Sequence, residues 1–148
     1  MGMIVSQYMT PEHRSCDDTF ANAEGLVADG KWDEAEQAYM DFANEVLLHF
    51  KKEEDILFPA FEAQTGSAQG PTQVMKFEHE QVRGLIGKMA EAIETKDRDA
   101  YLSLTESTMI LLQQHNMKEE QMLYAMCDRV IPRENRETLI QSMKEAEL

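Results

Sequence analysis

Apolar residues recur along most of the chain at intervals of three and four, the spacing that places them on one face of an α-helix. Alternation of apolar and polar residues, which would indicate β-strands, does not extend over any useful length. Proline and glycine fall in a few places and separate the periodic stretches from one another. The pattern predicts five helices, at about 10–29, 32–64, 71–94, 98–131 and 133–148.

Local signals set the expected ends of these helices. Thr10 followed by Pro11 is typical of an N-cap with proline at the first helical position. Gly30 suits a left-handed C-terminal cap, and Pro59 is expected to bend the last turns of the second helix. Four helices of this length with short connections predict an all-α fold, an up-down-up-down antiparallel four-helix bundle. The expected organisation is a tail at 1–9, the bundle at 10–132 and a short C-terminal helix at 133–148, packed on or extending from the bundle.

The composition and net charge limit the partners and the cellular compartment that we expect. The 148 residues carry a formal net charge of −14, which argues against nucleic acid and against anionic membrane surfaces as partners. No apolar run approaches the length of a membrane span, and the first residues lack a secretory pattern. Cys16 and Cys127 are expected to be reduced, mostly buried thiols. We therefore expect a cytoplasmic, single-domain protein that is a monomer or a weak homodimer.

The chain repeats itself with a shift of 66 residues, and polar residues match better than apolar ones. His13 falls on His79 and His49 falls on His115, so all four histidines pair with one another. Other residues matched by this shift are Glu12 and Glu78, Lys52 and Lys118, Glu53 and Glu119, Glu54 and Glu120, Leu57 and Leu123, and Phe58 and Tyr124. A repeat that served core packing alone would preserve apolar positions instead. The repeat predicts two helical hairpins related by a pseudo-twofold axis.

Each hairpin offers one histidine from its first helix and a His-x-x-x-Glu pair from its second. Residues four apart lie on one helical face, and apolar residues share that face, so these side chains are expected to point into the core. The apolar residues expected beside them include Val46, Leu112, Met122 and Met126. Buried carboxylates need compensating cations, and six ligands exceed what one tetrahedral zinc requires. The pattern therefore predicts a pair of iron or manganese ions, held by His13, His49, Glu53, His79, His115 and Glu119.

Other kinds of metal site agree less well with the sequence. A ferritin-like site needs Glu-x-x-His on two helices, and no histidine here has glutamate three residues before it. A zincin motif nearly occurs at His79-Glu80, but its second histidine position is Arg83. The eleven methionines are scattered at helical spacing, which is typical of core filling rather than of a copper site. A plain helical bundle with incidental histidines does not explain why the histidines match in register.

The chain resembles the hemerythrin-like (HHE cation-binding) family from Thr10 to about Pro132. The stretches that carry the resemblance are His49-Phe-Lys-Lys-Glu53-Glu54-Asp-Ile-Leu-Phe-Pro59, Glu78-His79-Glu80 and His115-Asn-Met-Lys-Glu119-Glu120. The resemblance implies four antiparallel helices around a non-heme di-iron centre. It places the family's ligands on the six residues named above, with Glu53 and Glu119 in the bridging positions.

Two differences from the oxygen-carrying members bear on function. Those proteins have a fifth histidine where this chain has Arg83, and an aspartate where this chain has Glu120. The set of four histidines and two glutamates is more similar to members that repair iron centres after nitrosative stress, and to iron-sensing hemerythrin domains. The resemblance thus implies a redox-active protein that meets O₂, NO or peroxide at open iron positions. The alternative that it leaves open is a module that senses iron or oxygen, or stores iron, without turnover.

Overall fold

A computed structural model describes residues 3–148, and within that range the chain is helical and contains no strand. The helices are α1 (Val5–Ala28), α2 (Trp32–Lys52), α3 (Phe58–Thr65), α4 (Pro71–Glu94), α5 (Arg98–Lys118), α6 (Tyr124–Val130) and α7 (Arg133–Glu145). Two π-helical turns, π1 (Glu53–Leu57) and π2 (Glu119–Leu123), join α2 to α3 and α5 to α6. Each junction is continuous, so each hairpin contains one long, locally distorted helix.

The helices pack into a bundle with apolar layers on either side of a polar centre. α1 packs on α2 and α4 packs on α5, while contacts of α1 with α5 and of α2 with α4 bring the two pairs together. One apolar cluster includes Phe42 and ends on α2 at Phe50, and the second begins on π1 at Leu57. Residues between Phe50 and Leu57 therefore lie between two apolar layers, a position where a polar group needs a partner.

The start of the first helix differs from the prediction. α1 begins at Val5 and contains Pro11, so Thr10 is not its N-cap. Residues 1 and 2 of the expected tail lie outside the described residues, and 5–9 are helical. Proline inside the helix removes one N–H donor, a cost that tertiary contacts of the preceding turn can offset.

Asp128 supplies such contacts to the first turn of α1. Its carboxylate accepts a hydrogen bond from the Val5 backbone N–H at 2.7 Å and another from the Ser6 N–H at 3.3 Å. The Ser6 hydroxyl donates a third, at 2.7 Å. The first N–H groups of a helix have no partner within it, so this carboxylate from α6 caps α1 across more than 120 residues of sequence.

The π-helical turns also differ from the expected regular helices. The distortion in the second helix precedes Pro59, and proline is not its cause, because π2 forms with Ala125 at the equivalent position. A π-helical turn adds one residue and rotates the following helix relative to the preceding one. Leu123 is consequently buried, whereas Met122, which was expected in the core, is 60% exposed.

The turn after α1 and the C-terminal helix α7 complete the bundle. Gly30 has a φ angle of 73° and closes α1 with the expected left-handed cap. α7 packs against π1 and α1 and buries Ile140 and Met143 in the second apolar cluster. Among the helices described, none has the length and apolar content needed to cross a membrane.

Candidate metal centre

Six polar side chains meet inside the bundle, contributed by four helical segments and both π-helical turns. They are His13 on α1, His49 on α2, Glu53 on π1, His79 on α4, His115 on α5 and Glu119 on π2. All six are buried, and the two glutamates are fully so. The structure thus brings together the six residues that the sequence predicts as metal ligands.

The inner nitrogen of each imidazole, Nε2, faces the two carboxylates. His13 Nε2 lies 2.9 Å from Glu119 Oε1, and His115 Nε2 lies 3.3 Å from Glu119 Oε2. The other two histidines face Glu53, with Nε2 to Oε1 distances of 3.1 Å for His79 and 3.5 Å for His49. Four imidazoles therefore surround a pair of carboxylates, and all six side chains are buried.

These atoms form two overlapping groups of donors that could hold a metal ion. One consists of Glu53, His79, His115 and Glu119, and the other of His13, His49 and Glu119. Within each group the ligand atoms lie within 4.8 Å of one another. Glu119 belongs to both groups, as a carboxylate shared between two neighbouring cations would.

The hydrogen bonding of the centre fits a metal better than it fits a metal-free core. Of the buried side-chain atoms that have no hydrogen-bond partner among residues 3–148, four belong to this centre: Glu53 Oε1, His79 Nε2, His115 Nε2 and Glu119 Oε2. Leaving such groups unpaired costs about 1–3 kcal/mol each, so native cores almost always satisfy them. All four point to the shared centre, and imidazole nitrogen with carboxylate oxygen is a donor set that iron and similar cations accept.

A second carboxylate holds the outer nitrogen, Nδ1, of each histidine. The four pairs are His13 with Glu120 at 2.8 Å, His49 with Glu12 at 2.8 Å, His79 with Glu54 at 2.6 Å and His115 with Glu78 at 2.8 Å. A carboxylate that accepts the Nδ1 proton fixes the tautomer that leaves Nε2 free to bind a metal, and it also orients the ring. The imidazoles are therefore preorganised as ligands.

Three of these outer carboxylates are themselves held by cations. Lys52 contacts Glu12, Lys118 contacts Glu78, and the Arg83 guanidinium contacts Glu54. Within the described part of the chain, no lysine or arginine lies within ion-pair distance of Glu120, the partner of His13. Hydrogen bonds from His79 and Arg83 outweigh the effect of burial and lower the pKa of Glu54 to about 2. Glu54 is thus held as an anion.

Sequence reasoning left the roles of these outer carboxylates undetermined, although their positions were already visible in the repeat. The 66-residue shift superposes Glu12 on Glu78 and Glu54 on Glu120. Glu12 and Glu78 each hold a histidine of their own half, and both pairs are separated by 37 residues. Glu54 and Glu120 instead each hold the equivalent histidine of the opposite half. The pseudo-twofold relation therefore extends beyond the six inner residues.

Tyr124 breaks the symmetry inside the centre. Its hydroxyl donates to Glu53 Oε2 at 2.9 Å and lies 3.0 Å from Glu119 Oε1. The same oxygen lies 3.2 Å from the Nε2 atoms of both His13 and His49. At the equivalent position in the other half, Phe58 stacks near His79 without a polar atom. The two candidate metal positions are therefore chemically different.

Burial and mutual repulsion give the carboxyl groups of Glu53 and Glu119 very different pKa values. Desolvation and the charge of Glu119 raise the pKa of Glu53 well above 4.5. Burial also opposes ionisation of Glu119, but its polar contacts with Glu53, His115 and His13 and the attraction of His115 lower its pKa well below 4.5. Without cations, the centre thus retains a proton on Glu53.

Three residues outside the inner set have structural roles. Arg83, at the position of the oxygen carriers' fifth histidine, lies on the outer side of His79 and binds Glu54 and Glu80 rather than the centre. Cys16 and Cys127 are free and buried, as predicted, and burial raises the pKa of both thiols. Such thiols are poor nucleophiles.

Comparison with known proteins points to one family. The model of the family described as hemerythrin HHE cation binding domain matches residues 5–127. No curated protein and no solved structure matches the chain. The matched region contains all six inner residues, the four outer carboxylates and Tyr124.

Proposed function

Because the chain belongs to the hemerythrin HHE cation-binding family, we propose that it is a non-heme di-iron protein that reacts with or senses a small oxidant or diatomic molecule. O₂, NO and peroxide are the candidate molecules, and protection from oxidative or nitrosative stress or repair of iron centres is the candidate role. The proposed iron ligands are His13, His49, Glu53, His79, His115 and Glu119, with both glutamates bridging.

One observation carries the proposal: four Nε2 atoms converge on two buried carboxylates while each Nδ1 is held by a further carboxylate. Hydrogen bonding alone leaves four atoms of this cluster unpaired. A pair of divalent cations would satisfy those atoms and compensate the carboxylate charges. When bound, the iron would supply redox chemistry toward small oxidants.

The number of protein ligands supports reactivity at the metal rather than a closed structural site. The chain has four histidines, and all four are already in the centre. Arg83 is engaged with Glu54, so no side chain takes the place of a fifth imidazole on that side. Fewer protein ligands leave more exchangeable positions for a small molecule.

The remaining parts of the proposal concern the topology of the bundle, the cellular compartment and the oligomeric state. We propose an up-down-up-down antiparallel bundle over 10–132 with 133–148 as a C-terminal helix, supported by the helix pairs and by the packing of α7. Two unpaired cysteines support a reducing, cytoplasmic setting. We propose a monomer or a weak homodimer.

Metal analysis tests the cofactor. Freshly purified protein should contain about two irons per chain, the content of di-iron carboxylate bundles. His49→Ala and His115→Ala should each lose metal, whereas Gln114→Ala, an exposed neighbour on α5, should retain it. A single zinc per chain, or full iron content in both histidine variants, would contradict the proposal.

Stopped-flow mixing of the reduced protein with O₂ tests the chemistry. With open positions at the iron, oxidation should be rapid and should not reverse when O₂ is removed. Continued consumption of O₂ or peroxide in the presence of a reductant would indicate turnover. A single round of oxidation would favour the sensing or storage alternative, and reversible binding of O₂ would make the protein a carrier and the proposal wrong.

A further inference from the structure

The outer faces of His13 and His79 differ, although the repeat makes the two histidines equivalent. On the His79 side, the Phe50 ring stacks on the imidazole, with ring centroids 3.8 Å apart and planes inclined by 14°. The Arg83 guanidinium lies 5.6 Å from the centroid of Phe50 and binds Glu54. His79 is consequently fully buried beneath an aromatic ring and an ion pair.

The same positions on the His13 side carry neither a ring nor a cation. Subtracting or adding 66 residues places Asn116 where the other half has Phe50, and Asp17 where it has Arg83. Asn116 is half-buried and its amide occupies less volume than a phenyl ring. An acidic side chain at position 17 cannot form the ion pair that closes the other half, because its neighbour Glu120 is also acidic.

A cavity fills the space that these substitutions leave. It has a volume of about 410 Å³, is open to solvent and lies between α1 and α5. Its lining includes Asp17, Asn116, Met117 and Glu120 around the mouth, and His13 at the inner end. Since Nε2 of His13 reaches Glu119, this imidazole lies between the cavity and the centre.

We propose that small uncharged molecules reach the centre through this cavity between α1 and α5, on the His13 side, and that Asn116 keeps the route open. The proposal rests on the proposed function in taking NO or O₂ as the molecule that travels. The carboxylates of Asp17 and Glu120 and the guanidinium of Arg14 line the cavity, so its charged side chains sum to one negative charge, which disfavours anions relative to neutral diatomic molecules.

A smaller cavity between α1 and α2 is the competing route. It measures about 240 Å³ and is lined by Glu12, Leu48, His49 and Lys52, among others. Here the Lys52 ammonium lies 2.6 Å from Glu12 Oε2, while Glu12 Oε1 binds His49. That ion pair fixes Glu12 beside the imidazole, whereas Glu120 on the other side has only His13 as its charged partner in the described structure.

Rates of NO association with the reduced, iron-loaded protein distinguish the two routes. Asn116→Phe, which copies the phenyl ring of the closed half, should slow association at least about tenfold because the route then requires opening. Iron content should not change. Asn116→Ala and Gln114→Phe, with the phenyl ring outside the cavity, should retain the rate of the unaltered protein. An unchanged rate in Asn116→Phe, or a slowing only in Leu48→Phe, would show that the route lies elsewhere.

Chemical modification of the metal-free protein tests the route without any iron. Diethyl pyrocarbonate should modify His13 at least about tenfold faster than His79, because His13 lines the open cavity whereas His79 is fully buried. Asn116→Phe should reduce modification of His13 to the level of His79. Equal modification of the two histidines in the unaltered protein would contradict the proposed route even if iron binding is confirmed. Faster modification of His13 would support the route even if the native metal is not iron.

Discussion

Tyr124 and Phe58 occupy equivalent positions in the two halves, and the difference between them is a single buried hydroxyl. That hydroxyl is the shared donor to Glu53 and Glu119. It also lies between the inner nitrogens of His13 and His49, so it occupies space beside one candidate metal position and not the other.

Removing this hydroxyl should destabilise the metal-free protein. Tyr124→Phe leaves both carboxylates with one donor fewer in a dry core, so the free energy of unfolding should fall by about 1–3 kcal/mol. Urea unfolding of the metal-free protein measures the change. Tyr101→Phe is the matched control, because the Tyr101 hydroxyl is buried without a hydrogen-bond partner among residues 3–148 and its loss should cost little. Equal losses in the two variants would show that the Tyr124 hydrogen bonds contribute nothing.

The outer carboxylates should matter for metal affinity more than for folding. Glu78→Gln keeps the shape of the side chain but removes the charge that faces His115 and Lys118. Loss of such a partner typically weakens metal binding about 10–100-fold. Competition with a coloured chelator measures the affinity, and Glu12→Gln should lose a similar amount because it is the symmetry equivalent. Glu80→Gln is the control, since Glu80 is exposed and its ion-pair partner is Arg83; an affinity for Glu78→Gln equal to that control would contradict the role.

At the scale of elements, helix type and the inward position of the six inner residues could be predicted from the sequence because both depend on local periodicity. Met75, Val82 and Met89 are buried on the face of α4 that carries His79. A helix start depends on what caps it, and the cap of α1 is Asp128, which no local signal connects to Val5.

The π-helical turns were not predictable for a different reason. A π-helical turn has no characteristic amino-acid composition, yet its one extra residue determines that Leu123 rather than Met122 is buried. The outer carboxylates were matched by the repeat, but spacing within one helix does not reveal that Glu12 of α1 meets His49 of α2. Such contacts depend on how the helices pack.

Two glycines at the end of α1 should respond oppositely to alanine. Gly25 lies within the helix with open space around it, so Gly25→Ala should raise the free energy of unfolding by about 0.5–1 kcal/mol. Gly30 has a φ of 73°, where a β-carbon is strained, so Gly30→Ala should lower it by about 1–2 kcal/mol. Chemical unfolding measures both, with metal content as the control that should not change. A gain in stability for Gly30→Ala would contradict the left-handed cap.

For the molecule as a whole, the centre replaces part of the apolar core that would otherwise join the two ends of the bundle. Apolar clusters lie on both sides of it, one including Phe42 and the other including Phe61. The stability of the bundle therefore depends on how the charges between these clusters are compensated, and metal binding is coupled to folding.

Metal removal should lower the melting temperature, and the loss should grow as the pH rises. In the metal-free protein, burial and the charge of Glu119 raise the pKa of Glu53 well above 4.5, so the folded chain holds a proton that the unfolded chain has released. Burial disfavours the His49 cation, but the carboxylates of Glu53, Glu119 and Glu12 outweigh it and raise the pKa of His49 to about 10. Both groups bind protons more strongly in the folded state, so their contribution to stability is full below the unfolded pKa values and declines as the pH rises toward the folded ones.

Bound cations replace these protons, so the metal-loaded protein should not show the same decline. The difference in melting temperature between iron-loaded and metal-free protein should therefore widen between about pH 5 and about pH 8, the window above the ordinary carboxyl pKa and below the raised pKa of His49. The lowered pKa of Glu119 does not reverse the sign, because Glu119 stays ionised throughout that window in both the folded and the unfolded chain. Differential scanning calorimetry at several pH values measures the difference, and Glu53→Gln, which cannot ionise, should flatten the pH dependence of the metal-free form. A difference that stays constant or narrows as the pH rises would mean that the metals do not displace protons from this cluster.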